Sequence, residues 1–300
     1  MPDAASAAGF LNLLKPPGLT SSDAVQRVRR VLGVRRVGHG GTLDPEASGV
    51  LPIAFGGATR LLQYVTPDTK QYVAEFTLGI ATDTGDAWGR VTSEANASAL
   101  TQAAVAEAVA ALIGTHHIPP PAYSAVVIGG QRAYTLARAG AAVEAPPRPM
   151  TVHTATLREF TAGPRATLIV EIGCEAGTYV RSLCTLMGER LGLPATMSAL
   201  VRTASGPFRI EESHTLEELD RAISQDALTG IVLAADMPLQ LHPQCGLDAA
   251  GAAAFQHGQT TAAATADVDG LVRVYGEGVF LGMGRVMGER LAPETVLAAQ

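Results

Sequence analysis

The sequence predicts an α+β protein, because strand-like and helix-like stretches follow one another without the regular alternation of a parallel α/β fold. A second observation is a change of composition from about Asp248, where alanine, glycine and short β-like runs take over and suggest a small β-rich appendage. The third is bulk: 300 residues, 47% hydrophobic and 17% charged, suit a large domain with a proper core plus a smaller one.

The elements follow in order. A small-residue leader at 1–9 precedes a buried strand from Phe10 to Leu14, which stops at Pro16-Pro17-Gly18. Ser21 or Ser22 is expected to cap a helix running to about Leu32, with Val25, Val28 and Leu32 at helical spacing. Residues 37–49 hold four glycines and a proline and read as a loop, followed by a strand at 50–55 and a helix from about Gly57 to Tyr64. A strand at 71–79 and an alanine-rich helix at about 98–113 come next. The stretch 118–149, with Pro119-Pro120-Pro121 and Pro146-Pro147 around a short helical piece, reads as an ordered excursion. Strands at 151–161, 166–174 and 196–203, with a helix near 179–191, complete the main part. Gly270–Tyr275 and Gly278–Met283 are the β-like runs of the appendage, and its boundary falls near 245; Ala262–Ala266 is biased enough to be a loose loop.

Apolar stretches such as 50–55 and 166–170 are too short to cross a bilayer, and the N-terminus lacks a signal peptide's basic-then-apolar order, so a cytoplasmic protein without a membrane partner is expected. Cys174, Cys184 and Cys245 are odd in number and show no CxxC spacing, which argues for buried thiols over disulfides or a zinc site. The His116-His117 pair has no carboxylate or cysteine at ligand spacing, so no metal is expected.

A net charge of −6 argues mildly against a nucleic-acid partner. Between Ala24 and Leu43, however, there is no acid, while Arg27, Arg29, Arg30, Arg35 and Arg36 all fall within it. Five arginines alone are more often a solvated helix face than a docking surface. They lead into Gly38-His39-Gly40-Gly41-Thr42-Leu43-Asp44-Pro45, which sets one carboxylate at the tip of a glycine-rich loop with Pro45 fixing the direction after it. Alone, an Asp-Pro is usually a turn with its carboxylate on the backbone. The glycine spacing fails for a phosphate loop, and no Lys-Ser/Thr follows.

The longer pattern changes this weighing. Gly38-His39-x-Gly41-Thr42-Leu43-Asp44-Pro45-x-Ala47-x-Gly49-Val50-Leu51-Pro52, then Gly57-Ala58-Thr59, resembles the catalytic signature of the TruB family of tRNA pseudouridine synthases. Lys70-x-Tyr72, Leu78-Gly79-x-x-Thr82-Asp83-Thr84-x-Asp86-x-x-Gly89, Pro120-x-x-Tyr123-Ser124-Ala125, Gly177-Thr178-Tyr179-Val180-Arg181 and Leu200-x-Arg202 resemble its later motifs in the same order. The chain departs from the pattern at Gly40, Glu46, Ser48 and Val127, and Gly40 is expected to loosen the loop.

The resemblance implies a pseudouridine synthase core, 1–245, with a mixed, antiparallel-rich sheet and a thumb-like insertion at about 118–149, followed by a PUA-like RNA-binding module at 246–300. It implies isomerisation of uridine to pseudouridine at position 55 in the T loop of tRNA, by base flipping, without metal or cofactor and without guide RNA or obligatory protein partner. Asp44 is the implied nucleophile and Arg181 the cation favouring its ionised form. Tyr72 is the implied stacking partner of the uracil and lies near the C5 proton; Tyr179 and Leu200 line the base pocket. His39 contacts the displaced nucleotide, and Arg35 and Arg36 belong to the RNA-binding patch. Attack at C6, attack at C1′ and a glycal route all remain open. The rival reading is an RNA-binding or tRNA-folding module without essential catalysis. In the appended module three arginines stand against six acids after residue 247, which implies a weak electrostatic contribution.

Overall fold

A computed structural model describes residues 8–65, 69–124, 126–128, 130–132, 135, 145–225, 227–263 and 268–297. The chain divides into two compact units that do not follow chain order: Met1–Pro45, Gly49–Pro67 and Gly206–Gln300 form one, Glu46–Ser48 and Asp68–Ser205 the other.

In the first unit the strand Gly9–Lys15 lies antiparallel to Ser48–Phe55 and to the short Val232–Leu233. Nearly all of Gly9–Lys15 and Ser48–Phe55 is buried, which is why both read as apolar runs without alternation. The helix Ser21–Leu32 forms as its spacing predicts, with Val25, Val28 and Leu32 buried. Its cap is Thr20, which accepts from the Asp23 N–H at 3.0 Å; Ser21, an expected cap, is turned inward to other work. The expected loop at 37–49 begins with a strand, Val37–His39, paired to the outer end of Ser48–Phe55. The helix expected at 57–64 is a 3-10 turn, Gly56–Leu61, continuing as α-helix over Leu62–Val65.

The helix Leu216–Ser224 lies in a stretch read without elements, although Thr215-x-x-Glu218 is a capping box, and both reciprocal hydrogen bonds form. The β-rich C-terminal segment builds a five-stranded sheet. Gln244–Leu247 runs parallel to Gly270–Gly276, which continues antiparallel through Val279–Met287, Arg290–Val296 and Thr261–Ala262. A helix, Ala249–Gln256, capped by Asp248, covers a small core of Cys245, Phe255, Val274 and Leu291. Met283 and Leu297 lie instead in the apolar cluster of Phe10, Val50 and Phe208.

In the second unit five strands pair antiparallel in the order Ala195–Ser205, Lys70–Leu78, Ala166–Cys174, Arg148–Thr161 and Gly114–Ile118. The inward residues of Lys70–Leu78 alternate strictly, as the half-buried pattern predicts. The helices Gln102–Ala110, shorter than the expected 98–113, and Val180–Leu191 pack together on this sheet. His116 and His117 sit in the edge strand, with His116 Nε2 against the Leu112 carbonyl at 2.8 Å. A hairpin of Ile80–Thr82 with Val91–Glu94 is not legible in the sequence. Of the excursion at 118–149, most of the expected helical piece lies outside the described residues; Val127–Ile128 and Gln131–Arg132 form a short hairpin. Most of the 1–9 leader and part of Ala262–Ala266 also lie outside them. Among the described residues no helix is long and apolar enough to cross a membrane.

Candidate active site

The residues expected to carry chemistry divide between the units: Arg35, Arg36, His39 and Asp44 in the first, Tyr72, Tyr179, Arg181 and Leu200 in the second.

Around Asp44 it is the backbone that is held. Gly41 at φ 122° and Gly49 at φ 108° occupy left-handed conformations that side chains strain to adopt, so glycine bounds the loop on both sides. Gly40 is buried and donates its N–H to the Pro52 carbonyl at 2.8 Å, so it is a tied residue where a loosening one was expected. Ser21 Oγ, buried, accepts from the Leu43 N–H at 2.9 Å and donates to the Leu43 carbonyl at 3.1 Å. Lys15, fully buried, donates Nζ to the carbonyls of Pro16 (2.9 Å), Leu19 (2.5 Å) and Pro45 (3.0 Å). The Gly18 N–H donates to the same Pro45 carbonyl at 2.9 Å. Both neighbours of Asp44 are thus tied to buried groups, and Asp44 itself is half-buried.

His39 is half-buried in the strand opposite Ile53. Arg30, Arg35 and Arg36 are exposed, whereas Arg27 is engaged by Asp220 at 2.7 Å and Arg29 donates to Gln26. The basic stretch therefore presents its later arginines most openly.

Around Arg181 it is the side chain that is held. Arg181 opens the helix Val180–Leu191 and is only 4% exposed. Its Nη1 donates to the Thr84 carbonyl at 2.9 Å and its Nη2 to the Tyr123 carbonyl at 2.8 Å; Asp86 Oδ2 lies 3.7 Å from Nη1. Asp86 is in turn oriented by the Thr84 hydroxyl at 2.6 Å and the Trp88 N–H at 3.1 Å. A cleft of about 250 Å³ opens beside it between Thr82–Gly85 and Pro119–Pro121. Tyr179 precedes the helix, half-buried, its N–H on Met150 Sδ.

Tyr72, 8% exposed, stands directly opposite Ile172 on one neighbouring strand and Arg202 on the other; Leu200 is opposite Ala74, one inward position along. Lys70 and Arg202 are buried on this same face, a costly placement for two cations. Burial pushes the Cys174 thiol up to about 11, although Thr178 and the charges of Lys70 and Arg202 pull it back, so it stays protonated near neutrality.

Sequence reasoning does not pick out Lys15, Lys70, Asp86 and Arg202 as site residues, and it reads Ser21 only as a helix cap. Lys70, Asp86 and Arg202 already stood in the quoted motifs, and a lysine ending an otherwise apolar strand was the available signal for Lys15.

Comparison with known proteins places the whole chain in one family. Residues 29–180 match the N-terminal domain of TruB family pseudouridylate synthase, 181–240 the tRNA pseudouridylate synthase B C-terminal domain, and 243–297 the C-terminal domain of pseudouridine synthase II TruB. A tRNA pseudouridine synthase B from Acaryochloris marina is 44% identical over 97% of this chain and 99% of its own. One from Symbiobacterium thermophilum is 50% identical over 70% of this chain and 71% of its own. Among solved structures, a chain of a Cbf5-Nop10-Gar1 complex superposes with TM-score 0.73 at 26% identity, covering 98% of this chain and 85% of that one. This chain belongs to the TruB family of pseudouridylate synthases.

Proposed function

We propose that this protein converts uridine to pseudouridine in the T loop of tRNA, at position 55, acting alone and through Asp44. The observation that carries the substrate class is the near full-length likeness to tRNA pseudouridine synthase B. In the reaction the bond from N1 to the ribose breaks, the uracil turns, and C5 bonds to the same carbon, losing its proton while N1 gains one. The target is stacked in folded RNA and must be flipped out, at about a few kcal/mol.

Asp44 serves as the nucleophile, supported by the ties of Leu43 to Ser21 and of Pro45 to Lys15, which fix the backbone that aims it. Arg181 serves as the cation of the reaction centre, supported by its burial and its two carbonyl partners. Tyr72 stacks on the flipped base, Tyr179 and Leu200 line its pocket, and His39 contacts the displaced nucleotide. Arg35 and Arg36 take phosphates, and the 246–300 module adds a weaker RNA contact. The test is incubation with an unmodified tRNA transcript and mapping of pseudouridine at single-nucleotide resolution. Product in the T loop is expected. Product solely elsewhere overturns the substrate assignment, and tight binding without product favours a tRNA-folding role.

A further inference from the structure

The chain has one tryptophan, Trp88, and it is 69% exposed, whereas Phe10, Phe76, Phe208 and Phe255 are buried. The loop that carries it is closed by its own side chains. Asp83 accepts from the Arg90 N–H at 2.8 Å and from Arg90 Nε at 3.1 Å, and the Thr82 hydroxyl donates to the Asp86 carbonyl at 2.6 Å. At Gly89, the residue after the indole, a Cβ would lie 2.3 Å from Thr84 Oγ1 and 2.6 Å from Asp83 Oδ1, so the chain closes there only as glycine. The tryptophan is therefore presented by a fixed turn.

That turn also holds Arg181. Asp86 Oδ1 accepts the Trp88 N–H, while Asp86 Oδ2 and the Thr84 carbonyl are the partners of Arg181. Its two carboxylates each lie beside an arginine, Asp83 on Arg90 and Asp86 3.7 Å from Arg181, while the Arg90 side chain is itself 92% exposed. An exposed aromatic ring with an exposed arginine next to it is how unpaired nucleotides are held, base on ring and phosphate on guanidinium.

We propose that Trp88 is a stacking platform for an unpaired base of the substrate RNA, distinct from the flipped uridine, with Arg90 on the adjoining phosphate. The proposal rests on Arg181 belonging to the reaction centre. Continuity of the turn with Arg181 favours an RNA base over a protein partner or a second copy of the chain.

The single tryptophan makes the test direct, since all indole emission comes from Trp88. Full-length protein is titrated with unmodified tRNA transcript, with binding followed separately by filter retention and product by pseudouridine mapping. Saturable quenching of emission and protection from acrylamide are expected. Trp88→Ala should bind tRNA about tenfold more weakly, within the range stacking contributes per base, raising KM with little change in kcat; Trp88→Tyr should bind within about threefold of the parent because it keeps a ring to stack on. Saturable retention with unchanged emission, or parental affinity in Trp88→Ala, overturns the proposal. Emission that depends on protein concentration without RNA assigns Trp88 to self-association and overturns it too. Product in the T loop without quenching sinks this proposal alone, whereas quenching without product supports the contact and sinks the catalytic reading.

Discussion

The loop of Asp44 and the helix start of Arg181 solve the same problem in opposite ways. At Asp44 the flanking backbone is bonded to buried Ser21 and Lys15. At Arg181 the guanidinium is the anchored group, donating to the carbonyls of Thr84 and Tyr123. A reacting group is best aimed by its frame, whereas a group that supplies field and geometry is best fixed at its charged end. Substitutions should therefore separate the two regions.

The largest expected effect is at Asp44. Asp44→Asn should abolish pseudouridine formation while tRNA affinity stays within a small factor, since Ser21 and Lys15 bond the backbone of Leu43 and Pro45 rather than the side chain at 44; turnover by a verified preparation would break the comparison at its base. Next comes Arg181, where charge and planar fork act together. Arg181→Lys should keep some activity and Arg181→Met almost none at neutral pH, and equal near-parental rates for both would make Arg181 merely structural.

Lys15→Met tests the frame. It leaves the carbonyls of Pro16, Leu19 and Pro45 without the ammonium, at about 1–3 kcal/mol for each one left dry. Urea unfolding should show the loss, and kcat should fall in the folded variant; a stable, fully active Lys15→Met would show that Asp44 needs no such support. A weaker effect is expected where arginines are exposed and their geometry is free. Arg35→Ala/Arg36→Ala should leave stability unchanged and weaken tRNA binding. It should also flatten the slope of log affinity against log salt by about 0.7–0.9 for each phosphate no longer neutralised. Parental affinity with parental slope would return the stretch to a solvated face.

The smallest effect concerns a polar cluster of half-buried Tyr275 and Asp236 with buried Arg273. In the C-terminal module Tyr275 donates to Asp236 at 2.5 Å, and Arg273 bonds the same phenol at 2.9 Å. Burial and the Asp236 carboxylate push the phenol up to about 12 from an ordinary 10. The folded state thus holds this proton more tightly, and its contribution is intact below pH 10 and fades as pH climbs from 10 towards 12. Thermal melts at pH 9 and 11 should show that decline reduced in Tyr275→Phe, and an unchanged decline would remove Tyr275 from it.

Strands such as Gly9–Lys15 and Ala166–Cys174 and the helix Ser21–Leu32 were legible because each has an apolar run or an apolar period long enough to read on its own. The 80–94 hairpin was not, because both strands are short and the second is exposed. Val37–His39 was hidden by its glycine: pairing with Ser48–Phe55 forms it, and local propensity does not. Ser21 looked like a cap because serine at a helix start usually is one, and only the approach of Leu43 redirected its hydroxyl.

The sequence alone determined the class of fold, the order of most strands and helices, and the identity of the residues in the matched motifs, because periodicity, turn chemistry and motif spacing are local properties. Tertiary structure alone decided that Lys15 and Ser21 hold the frame of Asp44, that Asp86 and two carbonyls hold Arg181, and that Lys70 and Arg202 flank Tyr72 on one buried face. The ties of Lys15 to Pro45, of Ser21 to Leu43, of Arg181 to Thr84 and Tyr123, and the pairing of Tyr72 with Arg202 join positions far apart in the chain. A buried cation is recognisable as such only when the carbonyls or carboxylates that make its burial tolerable have been brought to it by the fold.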